Sequence, residues 1–585
     1  MKRSIRPFRV LVFGAAVSLS PVRPSPATAQ GRATSAPSEL RDTVEQYSGD
    51  RAALLRRYDV EFSPARRDRL RRYTTDWHER LRRIPFDALG QEGKVDYLLL
   101  AAEIEYQMAV LAREDRLVAE MAPWLPFAST ITDLAEARRR MEPVDPPAVA
   151  AALTNLARAV DSARQHAADA WKSKSLGQIV ARRTAAQVRT LQQALQRWHG
   201  FYAGYDPVFS WWTADPHEKT DKALGAYLTF LREQVVGIRP GQAEPIIGDP
   251  IGAEGLAGDL AHEMIPYTVE ELIAIAEREF AWCEAEFKKA AREMGLGDDW
   301  KAALEKVKQT YVPPGDQPRL VRDLALEAIK FVEDRNLVTV PSLAKEIWRM
   351  EMIPPERQVV SPFFLGGEVF QVSYPTDEMA HEDKLMSMRG NNPHFSRATA
   401  QHEMIPGHHL QGFMTQRYNP HRRLFGTPFW GEGWALYWEM LLWDLNFPRG
   451  PEDRIGMLFW RTHRAARIIF SLRFHLGTMT PQEAVDFLVD RVGHERANAE
   501  GEVRRSFAGD YDPLYQAAYM LGGLQFRALH QELVGSGRMT DREFHDAVLQ
   551  GGRMPVEMVR ARLSGARLTR DYRASWRFAG SPPQR

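Results

Sequence analysis

The stretch QHEMIPGHHLQ, residues 401–411, gathers three histidines and a glutamate into one short run. Zinc sites of the His-Glu-x-x-His type place two histidines four apart, so that they share a helix face and converge on one ion, with the glutamate as base. Here the spacing differs. On a regular helix His402 and His408 would point roughly 120° apart, and His402 and His409 would share a face but stand about 10 Å apart along the axis. Both ring nitrogens must lie about 2 Å from a zinc ion, so neither pair works on an unbroken helix. Pro406-Gly407 offers a way out, because proline removes a backbone donor and glycine accepts unusual dihedrals. The sequence therefore predicts a break at Ile405 to Gly407 that brings His408 or His409 round to His402, leaving Glu403 beside the ion.

The first five letters of the motif also occur as His262-Glu263-Met264-Ile265-Pro266. No second histidine follows that copy, and one ligand is no metal site. It reads as a structural segment just before a helix start. Downstream of the second copy, GEGWALYWEM (431–440) offers Glu432 and Glu439, seven apart and on one helix face.

Composition narrows the class. The chain has 585 residues, 77 Lys+Arg against 76 Asp+Glu, and 44% hydrophobic residues. That balance argues against nucleic acid or an anionic membrane surface as partner. The N-terminus combines basic residues, the short apolar run Val10 to Leu19 and Ala27-Thr28-Ala29, the three parts of a secretory signal peptide. We assign residues 1–29 to it and expect a periplasmic or secreted protein. No Cys stands directly after the apolar run, so a lipid anchor is not indicated, and no later segment is long and apolar enough to span a bilayer. The one cysteine, Cys283, lies in a helix-like segment and is expected to be buried packing.

The remaining pattern is mainly α. After a linker (30–40), residues 41–236 show helical periodicity. A Gly/Pro-rich connection (237–258) leads to the region carrying the motif (259–570) and a tail (571–585). Thr268 with Glu271, Thr480 with Glu483 and Thr540 with Glu543 predict helix starts as capping boxes, and Gly295 a helix end. EVFQVSY (368–374) is the clearest strand, and a small sheet containing it could present an edge to an extended substrate.

The motifs HEMIPGHHLQ, GEGWALYWEM, YQAAYMLGGLQF and FHDAVLQGGRMP together closely resemble the bacterial family called domain of unknown function 885, whose members are predicted zinc metallopeptidases. That family is similar in turn to the helical gluzincins, such as angiotensin-converting enzyme. The resemblance implies a large helical metallopeptidase-like fold with a deep cleft and a small β-sheet. It aligns the site if Ile405-Pro406 is an insertion, which makes His402, His408 and Glu432 the ligands of Zn2+. Glu439 is then a supporting residue or an arginine partner, His409 a supporting or cleft residue, and Gln411 either orients a ligand or lies at the surface. It also implies a late-chain tyrosine as donor to the oxyanion: Tyr519 first, with Tyr515, Tyr511 and His475 as other candidates.

Two histidines and one glutamate leave zinc a position for water, which the ion activates while Glu403 takes its proton and passes it to the leaving amine. The expected activity is hydrolysis of peptide bonds, with a peptide or small amide as partner. The alternatives are a zinc amide hydrolase on a non-peptide substrate and a non-catalytic helical binding protein with a relic site. Arg467, Glu502 and Arg505 could bind a substrate carboxylate or form a structural ion-pair network. No Gly-x-Ser-x-Gly is present to support a serine hydrolase.

Overall fold

A computed structural model describes residues 37–239, 241, 244–358, 363–508 and 511–579. The signal-peptide assignment lies outside these residues, as does the linker up to residue 36. The fold is mainly α with one two-stranded sheet among the described residues. The local signals work where they are self-contained. The helix Val269–Glu293 starts in a capping box made by Thr268 and Glu271, and Gly295 follows it at φ +78°. The helices Pro481–Phe487 and Asp541–Gly551 open with the two other expected boxes. Cys283 is buried in the 269–293 helix, where burial pushes its thiol up to about 12. The Gly/Pro-rich connection is shorter than its composition suggested, because the helix Gly252–His262 begins inside it.

Three large hydrophobic cores organise the described residues. One gathers residues from Val60 to Val236, including the long helices Pro146–Lys172 and Gln178–Tyr202. A second joins Leu40 to Ile104 with residues from the C-terminal half, among them Trp434, Phe526 and Phe544. A third packs the 269–293 helix against Pro451–His475. Residues 41–236 thus contribute to two cores.

The helix Pro428–Asp444 lies between the second and third cores: Phe429, Leu436 and Met440 face one, Trp430, Trp434 and Trp438 the other. A helix apolar all round belongs in the interior, which is why this segment shows no polar face. It crosses the helix Tyr515–Leu533 at two glycines. A Cβ on Gly433 would fall 2.6 Å from the Gly522 Cα, and one on Gly522 would fall 2.2 Å from the Phe429 carbonyl oxygen. Only hydrogen at both positions permits this approach.

The strand β2, Val369–Val372, lies within the expected 368–374 segment and pairs in parallel with β1, Arg349–Met352, which the sequence did not reveal. At the other edge Gln371 exchanges both backbone hydrogen bonds with Leu365, at 2.8 and 3.0 Å. That edge is therefore occupied at Gln371, and the strand is not open there to a substrate backbone.

Gly522→Ala is expected to destabilise the protein by about 1–3 kcal/mol, the usual cost of overpacking. The check is chemical denaturation followed by the fluorescence of the buried tryptophans; an unchanged midpoint would show that the crossing tolerates a methyl group.

Candidate active site

The helix Pro393–Glu403 ends at the motif's glutamate, and a new helix, His408–Thr415, begins at its second histidine. The break at Ile405 to Gly407 is thus present. Gly407 donates to the Gln401 carbonyl at 3.1 Å, and a Cβ there would stand 1.8 Å from the His402 carbonyl oxygen. The turn folds back so tightly on the first helix that no side chain fits. Trp434 Nε1 donates to the Pro406 carbonyl at 2.9 Å, tying the turn to the 428–444 helix.

This fold-back brings the His402 and His408 rings to 4.8 Å between centroids. Their Nε2 atoms stand 3.6 and 3.0 Å from the same oxygen of Glu432. Around a tetrahedral ion with bonds of about 2.0–2.1 Å, neighbouring donor atoms lie roughly 3.3 Å apart; the two observed separations bracket that value. The far sides of the rings are also engaged. His402 Nδ1 donates to Glu439 Oε1 at 2.6 Å, and His408 Nδ1 faces Gln411 Oε1 at 3.5 Å. Metal-binding histidines are oriented by such bonds, so the donor set suits zinc. Glu439 also lies 3.4 Å from Arg464, so it serves both as histidine partner and as arginine partner.

His402, Glu403 and His408 each offer a ligand atom within 4.8 Å of the others, the one such group of three among the described residues. Glu403 and Glu432 therefore both border the centre, but Glu432 is the carboxylate in close contact with both imidazoles. Its second oxygen accepts a short hydrogen bond from Tyr515. Glu403 is half-buried, and Gly366 packs directly on it: a Cβ on Gly366 would meet the Glu403 carboxylate at 2.2 Å. Burial pushes the Glu403 carboxyl up, against the pull of the two histidines. For His408 burial works downward, but the Glu432 carboxylate outweighs it and raises the ring to about 9. Burial would raise Glu432, and the two histidines hold it well below the usual range.

The centre opens into a cleft of about 610 Å³ walled by Leu365 to Val369 on one side and Arg464, Arg467, Arg505, Tyr515 and Tyr519 on another. The Tyr519 ring runs nearly parallel to His402, 15° between planes and 6.2 Å between centroids. Tyr511 stacks on Tyr515 at 4.1 Å. The structure does not bring His475 to this cleft. It ends the 451–475 helix, about 12 Å beyond Arg467 at 1.5 Å per residue, and its ring packs by Phe474 and Phe507. The alternation of cleft-facing and core-facing residues on a helix buried all round gave no signal for this. His409 turns away as well, donating to the Ala344 carbonyl at 2.6 Å. Arg464 and the Gly366 loop had no sequence signal, since their roles arise from contacts between distant segments.

The first pentapeptide stands elsewhere. His262 ends the 252–262 helix and stacks on Tyr106 at 4.0 Å. Glu263 accepts a hydrogen bond from Thr427 and lines a smaller cavity of about 280 Å³ with Glu103, Asp259 and Asp512. Tyr515 lines both cavities.

These features define a mainly helical protein with a buried histidine–glutamate centre at the base of a cleft. The chain belongs to the DUF885 family, described as "Bacterial protein of unknown function", whose pattern matches residues 44–563. A solved structure described as a "putative lipoprotein of unknown function" from Shewanella oneidensis shares the fold, with a TM-score of 0.65, 18% identity, and coverage of 90% of this chain and all of that one. A "putative lipoprotein" from Colwellia psychrerythraea aligns over 71% of this chain and 75% of that one at 15% identity, with a TM-score of 0.49. No curated protein matches the chain. No helix among the described residues is long and apolar enough to cross a membrane.

Two outcomes follow from this geometry. A metal ion held at this centre should be lost in His402→Ala and retained in His262→Ala, read by elemental analysis after zinc is added; equal loss in both would show that residues 262–266 take part in binding it. Burial also pushes Glu263 up to about 8 from 4.5, so the folded chain keeps a proton that the unfolded chain releases. Its stabilising contribution is full at low pH and is lost as pH rises from about 4.5 to about 8. Glu263→Gln should therefore flatten the fall of the thermal midpoint across that window.

Proposed function

We propose that the protein is an exported zinc-dependent peptidase. The observation that carries this is the convergence of both histidine Nε2 atoms on one Glu432 oxygen, with Glu403 beside them in an open cleft. His402, His408 and Glu432 would hold zinc, which when bound supplies a Lewis acid for the scissile carbonyl and for water. Glu439 and Gln411 keep the two rings turned towards that position. Glu403 is free of the close contact that Glu432 makes with both rings, so it is the carboxylate available to take a proton from water and return it to the leaving amine. Tyr515 commits its hydroxyl to Glu432; of the two tyrosines beside the histidines, Tyr519 is the one left to donate to the developing oxyanion.

Glu403→Gln should bind zinc as the unchanged protein does and lose about 10²- to 10⁴-fold in kcat, since the isostere fills the space but accepts no proton. Tyr519→Phe should cost about 10²-fold. The assay is cleavage of a mixed peptide library read by mass spectrometry, with zinc measured on the same samples. Full activity in the zinc-loaded Glu403→Gln protein would remove Glu403 from its role. Absence of cleavage by the unchanged, zinc-loaded protein would sink the peptidase reading.

A further inference from the structure

The wall of the cleft beside Tyr519 carries more buried positive charge than it has partners. Arg464, Arg467 and Arg505 line the cleft and are only 4%, 2% and 7% exposed. Two carboxylates stand behind them. Glu502 accepts from Arg467 Nε at 2.7 Å and lies 3.7 Å from Arg505. Glu439 is already bonded to His402 at 2.6 Å and lies 3.4 Å from Arg464. Three guanidiniums thus share two carboxylates, one of them committed elsewhere. Among the described residues Arg464 Nε, Arg467 Nη1 and Arg505 Nε are buried with no acceptor, and Glu502 Oε2 is buried with no hydrogen-bond donor. A buried cation with unsatisfied donors is costly unless an anion completes the site, and a planar guanidinium pair matches a carboxylate in shape and charge.

Distance fixes where that anion would sit along a substrate. The Arg467 guanidinium is 4.2 Å from the Tyr519 ring centre, which is 6.2 Å from that of His402. The Arg467 guanidinium and the His402 ring are therefore at most about 10 Å apart, and Arg464, 5.0 Å from the same tyrosine ring, at most about 11 Å, the span of three residues of extended peptide at ~3.3–3.6 Å each.

We propose that Arg464 and Arg467, backed by Arg505 and Glu502, form a carboxylate subsite, and that the substrate is a short peptide cut within one to three residues of an anionic group. This rests on the peptidase reading above. A C-terminal carboxylate and an acidic side chain present the same chemistry, and the test separates them.

The probes are an acetylated tetra-alanine with a free C-terminal carboxylate, the same peptide as its amide, and an amide whose last residue is glutamate. Binding is measured by calorimetry to full-length, zinc-loaded Glu403→Gln protein, and cleavage is measured with the unchanged protein. The free acid should bind about 10- to 100-fold more tightly than the amide, the range set by a charged hydrogen bond. Adding Arg467→Met or Arg464→Met should bring the acid down to the level of the amide and leave the amide unchanged. If the glutamate amide recovers the affinity of the free acid, a side chain is an accepted source of the anion; if it binds as the plain amide does, the terminus is required. If Arg467→Met fails to fold, Arg464→Lys decides the matter: it keeps a cation beside Glu439 but lacks the planar fork, and should lose most of the acid's advantage. Equal binding of acid and amide, no binding of any probe, or a preference that survives both arginine variants would overturn the subsite and leave a structural ion-pair network. Failure of the peptidase reading would look different: no cleavage, with the binding preference intact.

Discussion

The contact between Gly433 and Gly522 governs the geometry of the whole centre. Two helices approach there until the backbone of one meets the backbone of the other, and side chains at either position would hold them apart. Glu432 precedes one glycine, while Tyr515 and Tyr519 lie on the same helix as the other. The crossing therefore sets the distance between the carboxylate that faces both histidines and the tyrosines that flank it. The Tyr515–Glu432 hydrogen bond spans this junction and would stretch if the helices separated.

A second constraint is the cost of burying charge. The helix Pro451–His475 runs through the interior although it carries Arg461, His463, Arg464 and Arg467. Each of the three arginines meets a carboxylate from another helix: Glu279 for Arg461, Glu439 for Arg464, Glu502 for Arg467. Breaking one such pair leaves its partner uncompensated, which is more damaging than replacing both. The network links the helix that bears Glu432 and Glu439 to the 269–293 and 496–507 helices. In this way the orientation of His402, through Glu439, depends on side chains far from it in sequence.

The two HEMIP segments show how little a short motif settles alone. In both, the histidine and glutamate close a helix, and the isoleucine is buried in both. What differs is the continuation. Pro406 is followed by Gly407 and a second helix that doubles back, whereas Pro266 leads through Tyr267 and Thr268 into the 269–293 helix. One glutamate ends beside two imidazoles; the other is enclosed among Thr427 and further acids.

Features set by near neighbours in the chain were legible in the sequence: the capping boxes at Thr268, Thr480 and Thr540, the helical periodicity, the strand around Val369–Val372, and the break at Pro406-Gly407 that brings a second histidine round to His402, the choice of His408 over His409 coming from family likeness. These depend on local dihedral preferences and hydrogen bonds between residues a few positions apart. The grouping of Glu432 with the histidines came from family likeness, since a spacing of 24 residues has no local geometry. Only the tertiary structure decided that Tyr515 holds Glu432, that Glu439 serves both His402 and Arg464, that Gly366 closes over Glu403, and that His409 and His475 face elsewhere. The physical reason is that helices buried on every side carry no amphipathic stripe to orient them. Which of their polar residues meet is settled by how closely the backbones can approach and where each buried charge finds its partner.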